Sequence, residues 1–429
     1  MNEQESTKEV TTSQSEEGPP SVATQWRYNP VPDDPEKHAE FDQRADVSPE
    51  GLRIIGARVR GKKHKHEGTN CDDWFEFCNS GSWTIVAVSD GAGSKVFSRV
   101  GAKTSCEVAI EHLRGALAEH KLSERENWSH DVFQRDKQTG VFAEKDMEHV
   151  QTALHNAMAQ AYEAVEAKAQ DLAEGERSEA FSNILGRKLA TDDLSATLLL
   201  AVHTMVQHEG TARSFVATCQ IGDGMLAVLD NSGGLQLLGI PDSGEFAGQT
   251  EFLTTKKKLE KANLTSKTFP FFGPMRALMV MTDGVADDYF PNDPGMSQLF
   301  GDLAINGILG PRLVDQKISL EEINKSLART ELKDTVAVEN AGLASTVETI
   351  TAEGGGSVLI RSAKSYAEKL GLPLEEVIKS TPLLIAGTAG AAMSPEEEYQ
   401  DRLRVWLDSY QVRGSFDDRT LVVVCREVS

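Results

Sequence analysis

Three short apolar runs in this sequence are each followed at once by a turn that contains an Asp-Gly pair. The runs cover residues 83–88, 215–221 and 277–282, and the pairs are Asp90-Gly91, Asp223-Gly224 and Asp283-Gly284. Apolar runs of this length between turn residues are typical of buried strands. Asp and Gly favour tight turns because Gly adopts positive φ angles and Asp hydrogen-bonds its own backbone. The chain is therefore constrained to short strands that end in tight turns, and we expect residues 222–224 to form a hairpin turn.

The order of the remaining elements favours antiparallel sheets. Strands are also predicted over 53–59, 195–202, 225–229, 235–238 and 421–425, and helices over 101–119 and 150–172. The helices are predicted from apolar residues at helical spacing. Strand and helix do not alternate regularly, as they would in a parallel sheet, so antiparallel sheets covered by helices fit the order better. We expect an α+β fold.

Both flanks of this pattern differ from it in composition. Residues 1–50 are rich in Glu, Ser, Thr, Gln and Pro, which is typical of a disordered tail. Residues 51–429 are expected to form one domain with a mainly helical insertion at about 296–400. We interpret the insertion as scaffold that also contributes to specificity.

The charge balance excludes several classes of partner. The chain has 66 acidic and 44 basic residues and a net charge of -22, which disfavours broad binding to nucleic acid or to anionic membranes. Five cysteines without metal-site spacing indicate a reducing compartment. No signal peptide is apparent, and no run reaches the roughly 18 apolar residues of a membrane span. We predict a cytoplasmic protein.

Aspartates stand at or beside the ends of several predicted strands. Each cluster alone is first of all a turn, but several carboxylates brought together are costly unless cations neutralise them. Oxygen ligands without a His/Cys set favour Mg²⁺ or Mn²⁺ over Zn²⁺. The sequence therefore indicates a divalent metal site. Its four clusters are Asn70-Cys71-Asp72-Asp73, Asp90-Gly91, Asp283-Gly284 and Asp417-Asp418.

These residues carry a family resemblance. The chain resembles the type 2C (PPM) metal-dependent serine/threonine protein phosphatases, in particular their bacterial branch, over roughly residues 52–290 and 400–427. Six motifs occur in the family's order, and a segment over 244–254 resembles a further motif of the bacterial branch. The six motifs lie at 61–73, 86–94, 193–198, 221–224, 281–285 and 417–421.

The resemblance implies a two-sheet β-sandwich flanked by helices (α-β-β-α), with two ions of Mg²⁺ or Mn²⁺ at one end between the sheets. Asp73 and Asp90 would ligate the ions, with Asp90 bridging both and the Gly91 carbonyl adding a ligand. Asp283 and Asp417 would complete the two sites. The implied reaction is direct attack of the metal-bridging hydroxide on phosphorus, without a phosphoenzyme.

Further residues are implied at the edges of this site. Asp193 and Asp287 are candidates for a third metal, and Asp72 would act on the ions through a water. The implied partner is a phosphorylated protein, with a cognate kinase that supplies it.

Two positions depart from well-known members of the family. Ala92 stands where many have a His that is a candidate acid for the leaving group, and Glu67 stands where many have a phosphate-binding Arg. His64 with Lys63 or Lys65 is the predicted substitute in phosphate binding, and His64 is also a candidate proton donor. The alternative is that 62–66 is only a solvated basic loop.

Two other functions are open at this point. A pseudophosphatase that keeps the fold as a regulatory binding module would explain both departures and the long insertion. An unrelated acidic scaffold would have its Asp-Gly turns scattered in space.

Overall fold

The computed structural model describes residues 28–122, 128, 130–242, 251–305, 308–309, 400, 402–404, 406–408 and 416–426. Two antiparallel sheets account for the described strands. Sheet A consists of β1 (Phe41–Val47), β2 (Arg53–Val59), β7 (Met225–Asp230), β8 (Leu235–Leu237), β10 (Met275–Met281) and β11 (Arg419–Cys425). Sheet B consists of β3 (Trp74–Ser80), β4 (Trp83–Ser89), β5 (Leu198–His208), β6 (Thr211–Ile221) and β9 (Thr268–Gly273). The strand orders are β1-β2-β11-β10-β7-β8 and β3-β4-β5-β6-β9.

The two sheets pack face to face through a shared apolar core. Ile54 and Val422 of sheet A belong to the same buried cluster as Val86 and Leu199 of sheet B. Strands β2, β4 and β11 are buried along their whole length, and β4 and β11 accordingly appear in the sequence as nearly continuous apolar runs.

Helices cover the outer face of each sheet. The described helices are α1 (Lys62–Glu67), α2 (Ser98–Leu117), α3 (Lys145–Glu174), α4 (Ser178–Leu185), α5 (Lys261–Ser266), α6 (Asp283–Ala286) and α7 (Asn292–Ile305). Apolar residues of α2 and α3 pack on sheet B, while α7 packs on sheet A together with Leu403 and Trp406. The layers are therefore α-β-β-α, which confirms the predicted fold class. No helix in the described part of the chain has the length and apolar character that crossing a membrane requires.

The predicted hairpin at 222–224 is wrong. β6 lies in sheet B and β7 in sheet A, so Gly222-Asp223-Gly224 carries the chain from one sheet to the other. Gly222 has a φ of +113°, which an L side chain rarely adopts. Its N–H donates to Asp242 Oδ2 at 3.1 Å. A Gly-Asp-Gly turn can connect two strands of one hairpin or two strands in different sheets. Only the pairing of the following strand distinguishes the two cases.

The predicted tail does not reach residue 50, because β1 pairs with β2 from Phe41 to Val47. β1 lacks an apolar face, and the neighbouring sheet supports it instead. The Arg44 guanidinium lies 4.7 Å from the centre of the Phe75 ring and forms an ion pair of 2.6 Å with Glu76. Strands β3 and β9 were also not predicted. Residues 1–27 of the tail and most of the predicted insertion lie outside the described residues.

The register brings several strand ends to one edge of the sandwich. In sheet B the end of β4 pairs with the start of β3, and the start of β5 pairs with the end of β6. In sheet A the end of β10 pairs with the starts of β7 and β11. Hydroxyls of Thr282 and Thr420 in sheet A donate to Asp73 beside β3. The two edges are therefore in direct contact.

Candidate metal centre

Aspartates from five strand ends converge at this edge. Single carboxylate oxygens of Asp90, Asp223 and Asp283 all lie within 4.8 Å of one another. Asp73 lies within hydrogen-bond reach of Asp90, and the charge of Asp417 acts on both Asp90 and Asp283. The structure thus brings together all four aspartates that were predicted as ligands, which excludes an acidic scaffold with scattered aspartates.

Asp73 is the most deeply buried member of the cluster, with 1% of its surface exposed. It directly precedes β3, and its Oδ2 accepts hydrogen bonds from Thr282 at 2.9 Å and from Thr420 at 2.6 Å. No described residue donates a hydrogen bond to its other oxygen, Oδ1. A buried carboxylate oxygen without a donor is costly, and a cation would satisfy it.

Electrostatics in the cluster favour the uptake of positive charge. Burial and the charges of Asp283 and Asp73 raise the pKa of Asp90 well above its usual range. Burial and the charges of Asp223 and Asp73 do the same to the pKa of Asp283. Burial and the Asp418 charge raise the pKa of Asp73 to about 7. Crowded carboxyl groups of this kind release their protons when a divalent ion binds, so these residues fit Mg²⁺ or Mn²⁺.

Gly91 lies in the turn directly after Asp90, where it forms an isolated bridge to Ala196. A side chain at Gly91 would lie 2.8 Å from the Asp72 carbonyl oxygen and 2.8 Å from Ser98 Oγ. The turn therefore packs too closely on its neighbours to admit a larger residue, and this close packing fixes the position of Asp90.

His64 lies beside the cluster, next to Asp417. It is buried, with 4% of its surface exposed. Its Nδ1 lies 2.6 Å from the Asn70 carbonyl oxygen and 3.1 Å from Asp418 Oδ2, and its Nε2 lies 3.3 Å from Asp417 Oδ1. Burial lowers the pKa of His64, but Asp418, Asp417 and Asp72 outweigh it and raise that pKa to about 12. That His64 binds phosphate or donates a proton stays a prediction, and in this structure its buried ring contacts Asp417 and Asp418.

Asp193 is not part of the cluster. Arg187 Nη1 and Nη2 lie 2.6 Å and 2.5 Å from its two oxygens, and the Ala190 N–H donates to it at 2.9 Å. The hydrogen bonds from Arg187 lower the pKa of Asp193. Asp287, in contrast, lies beside the cluster, since burial and the Asp223 charge raise its pKa. Of the two predicted ligands of a third metal, the structure places only Asp287 near the others.

Comparison with known families agrees with this geometry. The sequence model described as "Protein phosphatase 2C" matches residues 60–309, which is more than half of the chain. The chain belongs to the protein phosphatase 2C family. The matched region contains Asp73, Asp90 and Asp283, while Asp417 lies beyond it.

Solved structures give weaker comparisons. A bacterial serine phosphatase is 10% identical, with 91% of this chain and 100% of that chain covered and a TM-score of 0.33. RsbX in complex with magnesium is 11% identical, with 90% and 99% covered and a TM-score of 0.34. The phosphatase Stp1 from Staphylococcus aureus is 10% identical, with 94% and 100% covered and a TM-score of 0.33. Because these TM-scores lie below 0.5, we infer nothing from them. A search of curated proteins finds no significant match.

Lys63 is a cation of the phosphatase that lies near the cluster. It is exposed on α1, and its Nζ is 3.9 Å from where a side chain at Gly93 would begin. The pKa of Asp417 is lowered although burial, the largest single effect, would raise it. His64 and the Asp418 N–H lower this pKa most, and the charge of Lys63 adds to their effect. Lys63 forms no ion pair with another residue in the described part of the chain.

Sequence reasoning missed two residues of the phosphatase site. The sequence pattern indicates only a turn at Asp223, although its Asp-Gly pair follows a strand as those of Asp90 and Asp283 do. Asp418 anchors the loops behind the site, because it accepts the N–H groups of Gly61 at 2.6 Å and Asp72 at 2.5 Å. The sequence carries no signal that distinguishes its role from that of Asp417.

Proposed function

We propose that this protein hydrolyses phosphoserine and phosphothreonine on proteins with the help of two divalent metal ions. The observation that carries the proposal is the convergence of Asp73, Asp90, Asp283 and Asp417 at one edge of the sandwich, in a member of the protein phosphatase 2C family. A phosphorylated protein, with a kinase that produces it, is the proposed partner. The proposed location is the cytoplasm.

The residues that would hold the two ions are Asp73, Asp90, the Gly91 carbonyl, Asp283 and Asp417. Mg²⁺ and Mn²⁺ supply two kinds of chemistry when bound, since they lower the pKa of water to make a nucleophile and neutralise the phosphoryl oxygens. The chain's contribution is to hold the carboxylates on rigid strand ends.

The chain's own residues account for orientation and charge around this centre. Lys63 is positioned to attract the dianionic phosphate. His64 holds Asp417 in place through its Nε2. Water adds to phosphorus, the ester P–O bond breaks, and the leaving oxygen takes a proton. Ala92 stands where many family members have a His that is a candidate acid for the leaving group, and His64 is buried. We therefore propose that solvent water supplies this proton.

A direct test is hydrolysis of p-nitrophenyl phosphate and of a phosphothreonine peptide by the full chain. We expect turnover with Mn²⁺ and none with excess EDTA. Asp90→Asn is expected to remove turnover while circular dichroism shows a folded protein. Asp136→Asn is the matched control, because Asp136 is an exposed residue that caps its own loop.

Two results would contradict the proposal. Activity that persists in EDTA, or in the Asp90→Asn variant, would show that the cluster does not carry the reaction. If the wild-type protein binds the phosphopeptide but does not bind Mn²⁺ and does not hydrolyse the peptide, the result would instead support the pseudophosphatase.

A further inference from the structure

Two buried threonine hydroxyls converge on one oxygen of Asp73. Thr282 Oγ1 and Thr420 Oγ1 lie 2.9 Å and 2.6 Å from Asp73 Oδ2. Both threonines are 0% exposed. Thr282 directly follows β10 and Thr420 lies in β11, so both hydroxyls come from sheet A while Asp73 belongs to the edge of sheet B.

The backbone fixes the direction of these hydrogen bonds. The Thr282 N–H donates to the Thr420 carbonyl oxygen at 3.1 Å, and the Thr420 N–H donates to Thr282 Oγ1 at 3.1 Å. Since Thr282 Oγ1 already accepts one hydrogen bond, its own proton is free to go to Asp73. The pair therefore presents two donors to a single carboxylate oxygen.

The two oxygens of Asp73 are consequently unlike. Oδ2 receives both hydroxyls, whereas Oδ1 receives no hydrogen bond from a described residue. A side chain of this size has few rotamers when it is fully buried, and two donors on one oxygen select a single orientation.

We propose that Thr282 and Thr420 are positioning residues that turn Oδ1 of Asp73 toward the metal ions and keep Oδ2 out of the ligand set. This inference rests on the proposed metal-dependent function. The two hydroxyls act through Asp73 and touch neither the substrate nor the ions. Hydrogen-bond partners of this kind behind a ligand typically change metal affinity by about 10–100-fold when they are removed.

The test is the Mn²⁺ dissociation constant of the full chain, measured by titration calorimetry, in variants of each threonine. Thr420→Val keeps the shape and removes the donor, and Thr282→Val also removes the acceptor of the Thr420 N–H. Each is expected to weaken Mn²⁺ binding by about 10-fold or more. Thr420→Ser and Thr282→Ser keep the hydroxyl and are expected to bind within about threefold of wild type. The serine variants thus separate the donor from the methyl group.

Thr204→Val is the matched control. Thr204 is 2% exposed, and its hydroxyl donates to the Ser82 carbonyl oxygen at 2.8 Å. Thr204 lies in β5, seven residues after Thr197, and Thr197 contacts the Asp90 backbone. Thr204 is therefore roughly 20 Å along the strand from the site. Its loss is expected to lower the melting temperature and leave the Mn²⁺ dissociation constant unchanged.

The outcomes separate this inference from the proposed function. If wild type binds Mn²⁺ and the valine variants bind it equally well, or if the serine variants bind as weakly as the valine variants, the inference is overturned. If wild type binds no Mn²⁺, the proposed function itself fails. Should a valine variant not fold, Thr→Ala at the same position replaces it under the same criterion.

Discussion

Two neighbouring groups of aspartates in this molecule are neutralised in different ways. Asp73, Asp90 and Asp283 face one another, and their pKa values are raised. Asp193 lies in a turn whose next residues pair with the Asp90 turn, yet Arg187 binds both its oxygens and its pKa is lowered. The family resemblance marks all four as candidate metal ligands. The difference teaches that Arg187 leaves neither oxygen of Asp193 free for a metal ion, whereas the crowded carboxylates of the cluster raise one another's pKa values and so favour a cation.

The largest effect is expected on metal binding. Asp90→Asn should weaken Mn²⁺ binding by at least about 100-fold, because it removes the carboxylate at the centre of the cluster. Asp193→Asn should bind Mn²⁺ within about threefold of wild type, because Arg187 already occupies that carboxylate. Titration calorimetry on both variants checks the contrast. Equal losses would place Asp193 among the ligands and remove the distinction between the two groups.

The second expected effect is a pH dependence that only the cluster should show. Asp73 has a pKa of about 7 in the metal-free protein, and Mn²⁺ must displace the protons held there. The apparent affinity should therefore rise with pH, by about tenfold per pH unit below about pH 7 for each proton displaced. Calorimetry in buffers of different ionisation enthalpy counts the protons released. Asp193→Asn should keep the same slope, and an affinity that does not change with pH would contradict the shifted pKa values.

Lysines beside the two groups of aspartates should differ in their effect on KM. Lys63→Ala is expected to raise KM for a phosphothreonine peptide by about fivefold with little change in kcat, because an exposed lysine contributes a single charged contact. Lys95, which forms an ion pair with Asp192, is the control, and Lys95→Ala should change KM by less than about twofold. A kcat effect of Lys63→Ala larger than its KM effect would show that Lys63 acts in the transition state instead.

The smallest effects, of opposite sign, are expected on stability. A raised carboxyl pKa means that the native state holds a proton that the unfolded state has lost, so stability falls as pH rises from about 4 to about 7 for Asp73. A lowered pKa, as for Asp193, gives stability that is present above about pH 4 and is lost on acidification. In EDTA at about pH 8, Asp90→Asn should stabilise the protein and Asp193→Asn should destabilise it, each by about 1 kcal/mol. Urea denaturation measures both, and the same sign for the two variants would contradict the account.

Much of the fold could be predicted because its central strands are buried on both faces. Such strands leave continuous apolar runs, as at β4 and β10, and the fold class follows from their order. β1 could not be predicted, because it is stabilised by pairing with β2 and by Arg44 on Phe75. Neither support is visible in the local pattern. The crossing at Gly222 was missed for the same reason, since turn chemistry does not specify which sheet the next strand joins.

The candidate site was predicted in part. Asp73, Asp90, Asp283 and Asp417 could be found because each lies in a motif at or beside a strand end. The role of His64 could not, because its neighbours Asp417 and Asp418 lie more than 350 residues away in sequence. The pairing of Arg187 with Asp193 is local, but nothing in its spacing separates an ion pair from a metal ligand.

The most direct test of the account is a crystal structure of the full chain soaked in Mn²⁺, with anomalous scattering to locate the ions. We expect two manganese peaks enclosed by Asp73, Asp90, Asp283 and Asp417, and no peak at Asp193. A peak bound to Asp193, or a soaked crystal with no manganese among the four aspartates, would contradict the central claim that these carboxylates converge in order to bind metal.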